Sequence, residues 1–125
     1  MTCRVNLYII LLLSQKTETS NNTEILQKKN IKAVITLEMT PKPEYILYYY
    51  KMRGIDNMQI QIPDFPNADI SKYFDITYNF IDSHIKQKKN VLVHCMAGIS
   101  RSVTIVLNYI LKKKTNYRKK KHRAI

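Results

Sequence analysis

Apolar positions along this chain fall into two periods. IKAVITL, residues 31–37, is β-branched and apolar almost throughout, the composition of a buried strand. VLVH, 91–94, is a short continuous apolar run of the kind buried on both faces in a parallel sheet. MQIQI, 58–62, alternates and predicts a strand with one polar face. VNLYIILLL, 5–13, predicts a further buried strand over 5–12, edge or central. Between these runs the spacing turns helical. TEILQKK, from Thr23, predicts a short helix capped by Asn22. Ile70, Tyr73, Phe74, Thr77, Phe80, Ile81 and Ile85 mark one face of a second helix, with Asp69 as its cap. Val103, Val106, Leu107, Ile110 and Leu111 mark a third, and Ile105 and Tyr109 add apolar surface on its other side. A helix apolar nearly all round is expected to be central and buried. YILYYY, 45–50, fits strand or helix, and its tyrosines read as core or strand surface. TPKPE and PDFPNAD break the chain between elements. Strands alternating with helices, with no internal repeat, predict an α/β fold: a mixed, largely parallel central sheet flanked by helices.

Composition narrows this little. A chain of 125 residues, 45% apolar and 24% charged, is one small globular domain. Two cysteines, Cys3 and Cys95, are too few and too far apart for a disulfide framework or a zinc site, so a reducing interior is expected. The 5–13 run is shorter than the roughly 20 residues that cross a bilayer. It is long enough for a signal-peptide core, but no small-residue cleavage site follows in SQKTETS. No membrane span is expected, and the expected location is cytoplasmic, with a nuclear one left open by the basic run described next.

Charge changes the picture more. Residues 1–82 hold nine basic and nine acidic side chains, whereas 83–125 hold twelve basic and none acidic, so the whole formal +12 lies in the last third. Eight of those twelve follow Leu111 in KKKTNYRKKKHRAI. Such a run is compatible with nucleic acid, an anionic surface or a nuclear import signal. The plainer reading, a solvated and frayed tail, is favoured here because basic runs are weak motifs. The expected division is a domain over 1–111 and a basic tail over 112–125.

The chemistry concentrates in VLVHCMAGISRS, 91–102, which reads as strand, loop, helix. In open α/β sheets the carboxyl end of a strand, facing a helix N-terminus, is where anions bind. Free amides point there and the helix dipole adds about half a positive charge. Met96, Ala97, Gly98, Ile99, Ser100 and Arg101 are placed to wrap their amides round one tetrahedral oxyanion. Gly98 lets the backbone turn without a Cβ clash. Arg101 adds a planar fork matching two phosphate oxygens. Cys95 sits at the base of this cradle. A free thiol ionises near pH ~8.5, and beside a cation at a helix N-terminus the value falls to roughly 3.5–7.5. The same field that binds a phosphate is therefore expected to ionise the nucleophile.

HCMAGISRS resembles the His-Cys-(five residues)-Arg-Ser signature of cysteine-dependent protein phosphatases, and its Ala-Gly-x-Ser-Arg-Ser form is similar to the dual-specificity branch. IPDFPNADISKYFDITYNFID and NIKAVITL resemble the stretch entering that family's penultimate helix and its second strand. The resemblance implies a phosphocysteine intermediate on Cys95, with Arg101 and the 96–101 amides holding the phosphoryl group. It implies that Ser102 donates a hydrogen bond to the leaving thiolate, and that His94 holds the loop from behind and helps keep the thiol acidic. It makes Asp64 the general acid and then base, typically worth 10²–10⁴-fold. Asp69, the rival acid, suits a helix cap better. No metal or organic cofactor is implied.

The implied substrate is a phosphoprotein carrying phosphotyrosine and phosphoserine or phosphothreonine. Two other activities stay open: an inactive phosphate-binding module, and hydrolysis of RNA 5′-triphosphate ends. Oligomeric state is not indicated. The family continues for two helices beyond the one starting at Ser102, whereas this chain ends 24 residues after Arg101. Those helices normally cover the central one, so an exposed apolar patch is expected there.

Overall fold

The computed structural model describes residues 23–62, 69–95 and 101–123. The expected strand at 5–12, the Asn22 cap and most of the 63–69 loop lie outside them. The order is α1 (Thr23–Lys28), β1 (Ile31–Leu37), α2 (Glu44–Met52), β2 (Asp56–Ile60), a 3₁₀ turn (Ser71–Tyr73) running into α3 (Phe74–Lys86), β3 (Asn90–Cys95) and α4 (Arg101–Arg123).

The three strands form a parallel sheet in the order β2-β1-β3. Side chains alternate across it, so each strand feeds two layers. Ala33, Ile35, Leu37, Val91, Val93 and Cys95 face α3 and α4, packing with Tyr78, Ile81, Ile105, Val106 and Tyr109. Val34 and Leu92 face the other way, packing with Leu26 of α1, Ile46 and Tyr50 of α2, and Ile55. Burial on both faces explains why β1 and β3 read as unbroken apolar runs. β2, at the sheet's edge among the described strands, keeps Asp56 and Asn57 exposed.

YILYYY is helical. Parallel neighbours such as β1 and β2 need a crossover, usually a helix, and α2 supplies it by burying Ile46 and Tyr50, one turn apart, while Tyr45, Tyr48 and Tyr49 stay in solvent. α2 ends in a Schellman motif: the Ile55 amide donates to the Tyr50 carbonyl at 2.8 Å and the Gly54 amide to Lys51 at 3.2 Å. Gly54 has φ 68°, and a Cβ there would meet nothing within 4 Å. α3 ends in the same motif, but with Lys88 at φ 61°. Only the backbone cost of a left-handed residue distinguishes the two sites, about 1 kcal/mol. Urea titrations should therefore show Gly54→Ala lowering stability by about 1 kcal/mol and Lys88→Gly raising it by about half to all of that. Equal signs for the two would defeat this account.

At the start of α3 the Asp69 carboxylate accepts hydrogen bonds from the Ser71 hydroxyl and from its amide at 3.0 Å. These bonds hold its carboxyl below the ordinary value, and Asp69 thus satisfies a helix-end donor from two residues before the turn. His84 of α3 clasps β2, with Nε2 2.7 Å from the Asp56 carboxylate and Nδ1 2.8 Å from the Phe80 carbonyl.

α4 departs from expectation twice. It runs 23 residues without a break at position 111, so the basic segment is helical rather than frayed. Its packed face is Ser102, Ile105, Val106 and Tyr109, whereas Val103, Leu107 and Leu111 are 40%, 51% and 62% exposed. Ser102 packs against Cys95, and from there the 3.6-residue repeat brings 105, 106 and 109 to the sheet. The stripe at 103, 107 and 111 faces solvent, where uncovered apolar surface was expected.

Candidate active site

The topology places the site. The chain leaves β1 in one direction to make β2, then passes back to make β3 on β1's other side. The crevice at the carboxyl ends of β1 and β3 is thus a topological switch point, where open α/β sheets bind ligands. Leu37 and Cys95, the last residues of the two strands, are in register there.

Cys95 is the last residue of β3 and is buried, a free thiol. Its Sγ lies 3.2 Å from Ser102 Oγ and accepts the Ser102 amide at 3.5 Å. The amide belongs to the first turn of α4, where backbone N–H groups have no intrahelical partner. The sulfur thus faces a helix-end amide that donates to it and a hydroxyl able to do so. Arg101, the first residue of α4, is half-buried beside this contact.

His94 precedes Cys95, so strand alternation turns its ring to the opposite face of the sheet. It is 1% exposed. Thr36, its register partner on β1, shares a 2.9 Å hydrogen bond with its Nε2. The Glu38 carboxylate is 3.9 Å from the same nitrogen, too far for a hydrogen bond. Nδ1 is buried with no hydrogen-bond partner among the described residues. Burial, aided by the nearby Lys42 charge, pushes the His94 pKa down to about 3. The ring is neutral at physiological pH, so it brings no positive charge to the end of β3.

Lys42, Glu38 and Gln59 complete this back wall. The Lys42 amide donates to Gln59 Oε1 at 2.7 Å, tying the segment after β1 to β2. Lys42 is buried, and burial pulls its pKa down to about 8 against the opposing pull of Glu38.

Of the residues singled out in the sequence, the structure brings together Cys95 and Ser102, with Arg101 alongside and His94 behind. Among described residues the His94 bond runs to strand β1 through Thr36. Asp64 and the loop residues Met96, Ala97, Gly98, Ile99 and Ser100 lie outside the described residues. Thr36, Glu38, Lys42 and Gln59 carried no motif; their one signal was Thr36, a polar residue near the end of an apolar strand. No group of three or more His, Cys, Asp or Glu side chains that could hold a metal occurs among the described residues. Nor is any described helix long and apolar enough to cross a membrane.

Residues 11–121 match the family described as dual specificity phosphatase, catalytic domain. The chain belongs to this family, within the cysteine-dependent protein tyrosine phosphatase superfamily. Dual specificity protein phosphatase 1B of Arabidopsis thaliana is 40% identical over 95 residues, covering 75% of this chain and 53% of that protein. Human dual specificity protein phosphatase 9 is 34% identical over 94 residues, covering 75% of this chain and 23% of its own length. The crystal structure of DUSP15 superposes with a TM-score of 0.66 at 30% identity, over 77% of this chain and 57% of that one. The chain therefore spans about half, or less, of the curated relatives it matches.

Proposed function

We propose that this chain is a protein phosphatase that hydrolyses phosphotyrosine and phosphoserine or phosphothreonine through a phosphocysteine intermediate. The observation that carries the reading is the Cys95 sulfur at the carboxyl end of β3, met by the Ser102 hydroxyl at 3.2 Å and the Ser102 amide at 3.5 Å. The Cys95 thiolate attacks phosphorus, forming an S–P bond as the P–O bond to the substrate side chain breaks. Asp64 gives its proton to the departing oxygen. Arg101 and the amides of residues 96–101 hold the three phosphoryl oxygens and stabilise their charge in transfer. Asp64, now a carboxylate, takes a proton from water as the water oxygen attacks phosphorus. The S–P bond breaks, and the Ser102 hydroxyl donates to the returning thiolate. His94, bound to Thr36 behind the sheet, holds the end of β3 in place.

Rapid acid quench with a ³²P-labelled phosphopeptide tests this scheme. Protein-bound label is expected in the wild type and more of it in Ser102→Ala, where breakdown of the intermediate slows by about 10-fold or more. Cys95→Ser should hold none. Label that persists in Cys95→Ser, or that never forms during turnover, would sink the covalent route.

A further inference from the structure

The basic end of α4 is not used by this chemistry. Lys112 and Lys113 reach back to α3, 2.6 Å from Asp75 and 2.8 Å from Asp82, which pins the helix. Past them Lys114, Arg118, Lys119, Lys120 and Lys121 are exposed, and none makes an ion pair among the described residues. Position along the helix suits cations, because its C-terminal end carries partial negative charge. Like charges one turn apart, such as Lys114 and Arg118, oppose it. The sequence contains no acid after Asp82, so no residue of this segment supplies compensating charge.

Between α3 and α4 lies a cavity of about 530 Å³, lined in part by Tyr78, Lys86, Lys113, Lys119 and Lys120. Its one acid, Asp82, is already saturated. It accepts from Tyr109 at 2.9 Å and pairs with Lys113 at 2.8 Å and Lys86 at 3.1 Å. Burial raises the Asp82 pKa, but these three partners together outweigh it and leave the carboxyl below its ordinary value. The cavity is therefore net cationic, and Lys119 and Lys120 are its unspent charges. Tyr78 accepts from the Asn116 amide at 3.2 Å, which leaves its own hydroxyl hydrogen without an acceptor among the described residues.

We propose that this cavity docks an acidic segment of the phosphoprotein substrate, at a fixed distance from the phosphorylated residue. The proposal rests on the phosphatase reading above for its substrate. Two observations favour a peptide carboxylate over a nucleic acid. Lys86 and Lys113 already grip one carboxylate here, and a second carboxylate on Lys119 and Lys120 repeats that chemistry. Single-stranded nucleic acids also need open aromatic faces for stacking. Tyr78 instead packs on Tyr109, ring centroids 5.1 Å apart, and carries the Lys112 ammonium 5.0 Å from its centre, and the cavity's other ring, the exposed Tyr117, has the Lys121 ammonium 5.8 Å from its own. The spacing follows from the helix. From Arg101 to Lys113 and Lys120 the rise along α4 is about 18 to 28 Å at 1.5 Å per residue. An extended peptide covers that in about five to nine residues.

The test compares phosphopeptides carrying a run of glutamates about two or about seven residues from the phosphorylated residue with peptides carrying glutamines there. The glutamate run at the longer spacing is expected to lower KM about tenfold with kcat unchanged, an advantage that fades as salt rises. The double variant Lys119→Glu, Lys120→Glu should lose the advantage and keep wild-type turnover of a small aryl phosphate. A second arm measures fluorescence anisotropy of a fluorescein-labelled, unphosphorylated glutamate peptide on the full-length Cys95→Ser chain. Lysine-dependent binding there upholds docking even if no phosphate is ever released. Equal KM for glutamate and glutamine peptides, or an advantage that survives the double variant, overturns the proposal. So does lysine-dependent binding of a single-stranded RNA oligonucleotide with no binding of the acidic peptide.

Discussion

Cys95→Ser should release phosphate from a small aryl phosphate more slowly than the wild type by on the order of 10⁴-fold or more. The change replaces one atom and leaves the contacts of the site in place, so it isolates the nucleophile. A serine hydroxyl is a usable nucleophile only when a base within hydrogen-bond reach takes its proton. The nearest histidine in sequence does not offer that. His94 is neutral, but alternation along β3 points it to the opposite face of the sheet, where Nε2 is bound to Thr36 at 2.9 Å. His94 therefore does not activate the hydroxyl of the serine variant. On the proposed scheme the variant should still bind the oxyanion, because Arg101 and the loop residues are unchanged in sequence. Retention of activity within tenfold of wild type, in protein shown to be folded, would mean that Cys95 is not the attacking atom.

Acid should unfold this protein through His94. The ring's pKa is about 3 in the folded chain and about 6.5 when unfolded. Between those values the unfolded state binds a proton that the folded state refuses, so stability falls as pH falls. The effect begins near pH 6.5 and is complete near pH 3, at about 1.4 kcal/mol per pH unit and about 5 kcal/mol in all. A domain this size has only about 5–15 kcal/mol to lose. The Asp82 carboxyl, held below its ordinary value by Lys113, Lys86 and Tyr109 against burial, adds its own loss only at lower pH, below roughly 4. The two contributions therefore separate. Urea midpoints measured between about pH 7 and pH 4.5 should drop steeply in the wild type and much less in His94→Asn, which keeps a polar group for Thr36 but binds no proton. Parallel slopes for the two proteins would show that another group controls the acid limb.

Much of the architecture was legible because burial on two faces leaves a plain mark. β1 and β3 were readable as unbroken apolar runs, and α3 from the repeat between Phe74 and Ile85. The tyrosines of 45–50 gave no such mark, since aromatic residues suit strands and helices alike; the need for a crossover between β1 and β2 made α2. On α4 the repeat itself was visible and its packed side was not. Two apolar stripes competed there, and the contact of Ser102 with Cys95 decided between them. Cys95, Ser102, Arg101 and His94 sit within nine residues, so their meeting could be read locally. Thr36, Glu38, Lys42 and Gln59 come from two other strands and their margins, and pattern within one segment does not reveal a wall built from three.

Cys95 and His94 are adjacent in sequence and opposed across the sheet, which makes the proposed active site a reporter of strand alignment. A slip of β3 by one residue against β1 would carry every side chain to the other layer. The thiol would then point into the layer of α1 and α2, and the imidazole would stand before α4. Such a chain would retain its sheet, and the proposed nucleophile would no longer face α4. Turnover, more than any spectrum of secondary structure, would thus count the fraction of molecules whose third strand has docked in register.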